Sequence, residues 1–219
     1  MDKILIIIAT LLFVMQTISL KHIRVSSLRQ NLLVNGLFTC IIAIGFGILN
    51  LITRGTISTT TLYIGIGFGV TMVATLVVYF SAMRSGPLSY TAFFYSASML
   101  ISAIAGITIW NEPLKWSTAM GILLFLCAFY FISVLGSEKQ GKGSKKWLIL
   151  CFFTWFFNGS LSLFVKSHQM TLKGTESTGM MLIGFATASI VGLMVYLFML
   201  CSQNEEGSLK EDIGAVGGS

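Results

Sequence analysis

"WNEPLKW", residues 110–116, interrupts a long apolar sequence and carries Glu112, the one carboxylate between Asp2 and Glu138. Two readings compete for it: a charged site inside a bilayer, or the corner between two helices. The flanks narrow the choice. "LISAIAGITI" (100–109) lies upstream and "STAMGILLFLCAFYF" (117–131) downstream, and neither holds a charged residue. The hydrocarbon core of a bilayer is about 30 Å thick, which takes roughly 20 apolar residues of helix. Both flanks extend to that length, so the heptapeptide reads as the link between two membrane spans.

The same pattern runs through the chain. Seven stretches qualify as spans: 4–20, 32–53, 60–83, 88–109, 114–135, 147–165 and 179–201. The connectors collect the charge, in "KHIR" (21–24), Arg54, "EKQGKGSKK" (138–146) and "SQNEEGSLKED" (202–212). Of the 219 residues, 55% are hydrophobic and only 10% charged, with a mean hydropathy of +0.85. Soluble domains carry about 25% charged residues. Too few charges remain to clothe a water-facing surface, and backbone that spans a membrane must satisfy its own hydrogen bonds. The expected fold class is therefore an all-α integral membrane protein, a polytopic helical bundle.

Several features are read as bland. The first span lacks a small-residue cleavage site before "KHIR" and is expected to be retained. Cys40, Cys127, Cys151 and Cys201 lie in or at the ends of spans without metal-ligand spacing. No metal or cofactor is expected. The net charge of +6 is spread over short loops. It suits contact with lipid headgroups and lends no support to nucleic-acid binding. "GIGFG" (65–69) is a packing motif rather than a phosphate loop, and the sequon at Asn158 lies inside a span.

A weak internal repeat is present. "LLFVMQTISLKHI" in the first span and "WFFNGSLSLFVKSH" in the sixth each place an amide, Gln16 or Asn158, ahead of a terminal lysine. Those lysines, Lys21 and Lys166, stand 145 residues and five spans apart. An odd number of spans per repeat inverts the second copy, as in secondary transporters. The chain then divides into a first five-helix repeat (1–136), a basic loop (137–146), and the first two helices of a second repeat with a polar tail (147–219).

The stretch "YFSAMRSGPLSYTAFFYSASMLISAIAGITIWNEPLKWSTAMGILLFLCAFYFIS" (79–133) resembles the core of the drug/metabolite transporter superfamily, EamA-type branch. Ala82, Gly86, Pro87, Leu88 and Ser89 carry that likeness, followed by Glu112, Pro113, Leu114 and Gly121. The resemblance covers residues 1–201 and implies ten helices in two inverted halves with a substrate path between them. Against that pattern the last three helices are absent, so the sequence is expected to be a fragment, or to need a second half or another copy that completes the path.

At Glu112, Asn111 is a good N-cap and Pro113 suits a helix's first turn. A carboxylate there meets the positive end of the helix dipole. The sequence favours this corner over a proton- or substrate-coupling role. With no other acid inside a span, recognition falls to neutral polar and aromatic groups. Trp155, Asn158 and Ser162 share one face of span six, and Thr71, Thr75 and Tyr79 one face of span three. With Gln16 and Tyr95 they either bond helix to helix or line a solute cavity; Gln16, Tyr79, Tyr95, Trp155, Asn158 and Ser162 are the candidate substrate-binding residues. His168, just past span six, reads as an interfacial histidine or a pH sensor.

The resulting expectation is a multi-pass transporter of a bacterial inner membrane, moving a small organic metabolite or drug-like solute by alternating access. No nucleophile–base constellation points to an enzyme. The alternative is a non-transporting seven-helix membrane protein, a receptor or a subunit completed by a partner. Orientation is disputed. Lys21, Arg24, Arg29, Arg84, Lys139, Lys142, Lys145, Lys146 and Lys210 follow odd-numbered spans, against Lys3, Arg54, Lys115, Lys166 and Lys173 on the other side. That bias favours an external N-terminus, whereas the resemblance implies a cytoplasmic one. We follow the resemblance.

Overall fold

Serine starts three of the helices. The side chains of Ser27, Ser58 and Ser144 accept hydrogen bonds from the backbone N–H of Gln30, Thr61 and Trp147 at 3.2, 3.3 and 3.2 Å. Each satisfies an amide that the first helical turn leaves open. The computed structural model describes residues 27–136 and 144–202. The expected span 4–20, Gln16, Lys21 and its repeat relation, most of the basic loop and the tail from residue 203 lie outside the described residues.

The helices run in order α1 (Leu28–Ile52), α2 (Thr59–Ser85), α3 (Leu88–Ala97), α4 (Met99–Thr108), α5 (Trp116–Gly136), α6 (Lys145–Leu172) and α7 (Ser177–Ser202). Among the described residues, five segments are long and apolar enough to cross a membrane: Leu28–Ile52, Thr59–Ser85, Tyr90–Thr108, Lys145–Leu172 and Ser177–Cys201. The apolar segment Trp116–Phe125 in α5 is shorter. Large apolar side chains stand outward along these helices, Leu51 at 78% exposed and Phe198 at 75% among them. Water does not tolerate such faces over whole helices; lipid does. The chain has the build of a multi-pass helical membrane protein.

Helix α7 lies along both α1 and α2, while α6 packs on α2, α3 and α4. Small residues set the first of these contacts. A Cβ on Gly69 would lie 2.5 Å from the Gly184 carbonyl oxygen and 2.6 Å from the Thr187 Cβ. The GxxxG at Gly65 and Gly69 thus brings α2 and α7 to backbone distance. At the other end, the indole of Trp147 covers Gly86, where a Cβ would lie 2.5 Å from the ring. Trp147 Nε1 also donates to Thr91 Oγ1 at 2.9 Å. The Gly86-Pro87 pair therefore seats the start of α3 against α6.

Two sequence expectations are corrected. The heptapeptide does not cap a helix: α5 begins at Trp116, after Asn111 and Pro113. Asn111 is left-handed instead (φ 52°), which turns the chain back so that Glu112 N–H donates to the Gly106 carbonyl at 3.0 Å. Glu112 then reaches α6 rather than a helix N-terminus. The span expected over 88–109 is likewise interrupted at Ser98. There Ser98 N–H bonds the Tyr95 carbonyl and Ile101 N–H the Ser98 carbonyl, three residues back instead of four.

Candidate functional site

The interruption at Ser98 falls half-way along the α3–α4 span, where a freed backbone carbonyl has no water to turn to. Helix α6 supplies the missing partners. Asn158 Nδ2 donates to the Tyr95 carbonyl at 3.1 Å and to Ser98 Oγ at 2.6 Å. Trp155 Nε1 donates to the Ala97 carbonyl at 3.2 Å. Ser98 Oγ itself donates to the Tyr95 carbonyl at 2.7 Å. The tyrosine rings of α2 and α3 meet here too, Tyr79 and Tyr95 having centroids 4.7 Å apart. Four expected site residues, Tyr79, Tyr95, Trp155 and Asn158, come together at one short 3₁₀-like step. Such steps inside a helix mark hinges or strain.

Ser162 lies one turn further along α6, in an open cleft of about 400 Å³ that it lines with Ser102, Glu112, Lys166, Gln169 and apolar neighbours. Its charged floor is an ion pair that sequence reasoning missed: Lys166 Nζ donates to Glu112 Oε2 at 2.7 Å. The same ammonium stands 5.0 Å from the Trp110 ring centroid. Gly106 leaves room for both groups, since a Cβ would lie 2.6 Å from Glu112 Oε2 and 2.7 Å from Lys166 Nζ. At about 1.5 Å rise per residue, Lys166 sits roughly 12 Å along α6 from Asn158. Thr75, by contrast, spends its hydroxyl on the Thr71 carbonyl of its own helix at 2.8 Å. Gly121 has no described atom beyond its own helix backbone within 4 Å of its Cβ position.

A second cluster closes the end of the bundle near Lys166. Glu176, in the short α6–α7 loop, is 9% exposed and rests on the N-terminus of α2. Its Oε2 accepts from Ser58 N–H and Ser58 Oγ, each at 2.8 Å, and from Thr61 Oγ1. Its Oε1 accepts from Thr56 Oγ1 at 3.3 Å. The Thr61 hydroxyl, then the Ser58 amide and hydroxyl, hold the carboxyl down to about 2, well below its ordinary value. Thr61 Oγ1 also meets His168 Nε2 at 2.9 Å, and His168 is fully buried. No local spacing announces this cluster. The one signal was an acid in a short loop facing the hydroxyl-rich "TISTTT" (56–61).

Comparison with known protein families, with curated proteins and with solved structures finds no match to this chain.

Proposed function

We propose that the chain is a transporter of the drug/metabolite type that moves a small organic solute by alternating access, with seven spans arranged as one five-helix repeat and the start of an inverted second. The solute site lies at the Ser98 step. The observation that carries this reading is the bridging of that step by Asn158 and Trp155, because irregular backbone at mid-membrane depth is tolerated where protein or a cavity satisfies it. Carbonyls of Tyr95 and Ala97 that accept side-chain donors also accept a solute's N–H groups. An amine or an amino acid is therefore the solute class that fits best, with Tyr79 and Tyr95 as aromatic walls. Exchange of the Asn158 and Trp155 bonds for solute bonds frees α6 from the α3–α4 span, and the polar cleft at Ser162 and Lys166 lies on the way out.

The test is uptake of radiolabelled amino acids and primary amines into proteoliposomes holding the full chain. Saturable accumulation above protein-free liposomes is expected, with at least a ten-fold loss in Asn158→Ala and Trp155→Ala at retained thermal stability. If no solute of either class accumulates, or the two variants transport as well as the parent, the reading falls. A non-transporting subunit then takes its place.

A further inference from the structure

We propose that His168 is a proton-binding site and that its protonation releases the clamp holding the α1–α2 loop against the α6–α7 loop. The observation is an orphaned ring nitrogen. His168 is fully buried, and its Nδ1 has no hydrogen-bond partner among the described residues. The other nitrogen is committed. The single proton of Thr61 Oγ1 goes to the Glu176 carboxylate, which can only accept. Nε2, 2.9 Å from the same oxygen, must then be the donor in its own bond to Thr61. The imidazole is thereby held as the neutral Nε2–H tautomer with a bare lone pair on Nδ1.

A proton from water can add only at that lone pair. It places a charged N–H donor where nothing accepts it, and a buried charge without a partner is strongly disfavoured. The protonated ring therefore favours an arrangement in which the end of α6 gives Nδ1 access to water, and the Thr61–His168 bond is lost. Thr61 belongs to the same knot as Ser58 and Glu176, so the loops at 53–58 and 173–176 part with it. The charged and titratable groups around the ring fit this sequence. Glu176 faces it from the α6–α7 loop through Thr61 of α2. The cation two residues away on α6, Lys166, is engaged with Glu112 of the α4–α5 corner, on a different side of the helix. Arg54 and Lys173 in the clamped loops are exposed. While the clamp is closed Glu176 stays ionised far below neutral pH, so a response to mild acid belongs to His168. The clamp is closed with the ring neutral and loosens as the ring takes up its proton.

The chain has two histidines, His22 and His168, so His22→Gln leaves one imidazole to observe. In lipid nanodiscs, ¹⁵N-histidine NMR of that variant should show the neutral Nε2–H form at pH 8 and the imidazolium at pH 5. Hydrogen exchange of residues 53–61, corrected for its intrinsic pH dependence, should lose at least ten-fold in protection over the same interval. His168→Gln keeps a donor for Thr61 but cannot titrate, and its protection should stay constant. The proposal is overturned by an Nδ1–H tautomer at pH 8, by protection that ignores pH in the parent, or by an equal loss in His168→Gln. None of these readouts depends on which solute is carried.

Discussion

At Asn111 a single residue decides the corner. Its φ of 52° places it in the left-handed region, where an ordinary side chain costs about 1–2 kcal/mol and Asn or Gly is tolerated. Asn111→Ala should lower stability by about that amount in thermal unfolding in detergent, while Asn111→Gly should stay close to the parent. Glu112 beside it is a weaker lever. The Lys166–Glu112 side chains keep 23% and 44% of their exposure, and ion pairs open to solvent contribute about 0–1 kcal/mol. Glu112→Gln should therefore change stability little, and a larger effect in transport than in melting would mark the pair as part of the solute path. Glu176 behaves differently because its four donors are neutral and its carboxyl is held at about 2 against an ordinary 4.5. A lowered value stabilises the fold in the ionised form, so with the clamp closed the contribution is whole above about pH 4.5 and is lost as pH falls toward 2. In the His168→Gln background, where the clamp stays closed, acid titration of the melting point should show that decline and lose it when Glu176→Gln is added.

At the scale of helices, close approach is set by glycines whose Cβ positions meet backbone. The Gly69 position meets the Gly184 carbonyl oxygen and, at 2.9 Å, the Ala188 amide nitrogen, neither of which can swing aside. Gly69→Ala should cost about 1–3 kcal/mol by forcing α2 from α7. Gly121→Ala in α5, where no described atom beyond the helix backbone lies within 4 Å, should be neutral or gain up to about 1 kcal/mol of helix propensity. A melting comparison of the two variants separates packing from propensity. The GxxxG was legible in the sequence because its spacing is local, as was the shared face of Trp155 and Asn158. The step at Ser98 was not, since it depends on which carbonyls a distant helix reaches: Asn158 and Tyr95 are 63 residues apart. Nor was the clamp, whose Ser58–Glu176 and Thr61–His168 bonds span 118 and 107 residues. The corner failed for a related reason. Asn and Pro suit a helix start anywhere, but here Asn111 makes the left-handed turn that returns Glu112 N–H to the Gly106 carbonyl, and the helix starts only at Trp116.

For the whole molecule the open matter is which end faces the cytoplasm. The Glu176–Ser58 and Glu112–Lys166 contacts gather the loops 53–58, 109–115 and 173–176 at one end. The seat of Gly86 on Trp147 gathers the α2–α3 turn and the start of α6 at the other. Among the described residues the two ends carry equal numbers of cations, Arg54, Lys115, Lys166 and Lys173 against Arg29, Arg84, Lys145 and Lys146. The positive-inside bias thus rests on cations outside the described residues, Lys21, Arg24, Lys139, Lys142 and Lys210 against Lys3. Local balance weakens the case for that rule, and the resemblance assigns the clamp end to the cytoplasm. In a background with the four cysteines replaced by alanine, Ser85→Cys should react with a membrane-impermeant maleimide on intact cells. Thr175→Cys should react only after the cells are permeabilised. The reverse pattern would turn the bundle over and remove one support from the drug/metabolite reading. It would also decide the source of the proton at His168: cytoplasmic water in the expected orientation, and the external medium, where acid conditions are common, in the other.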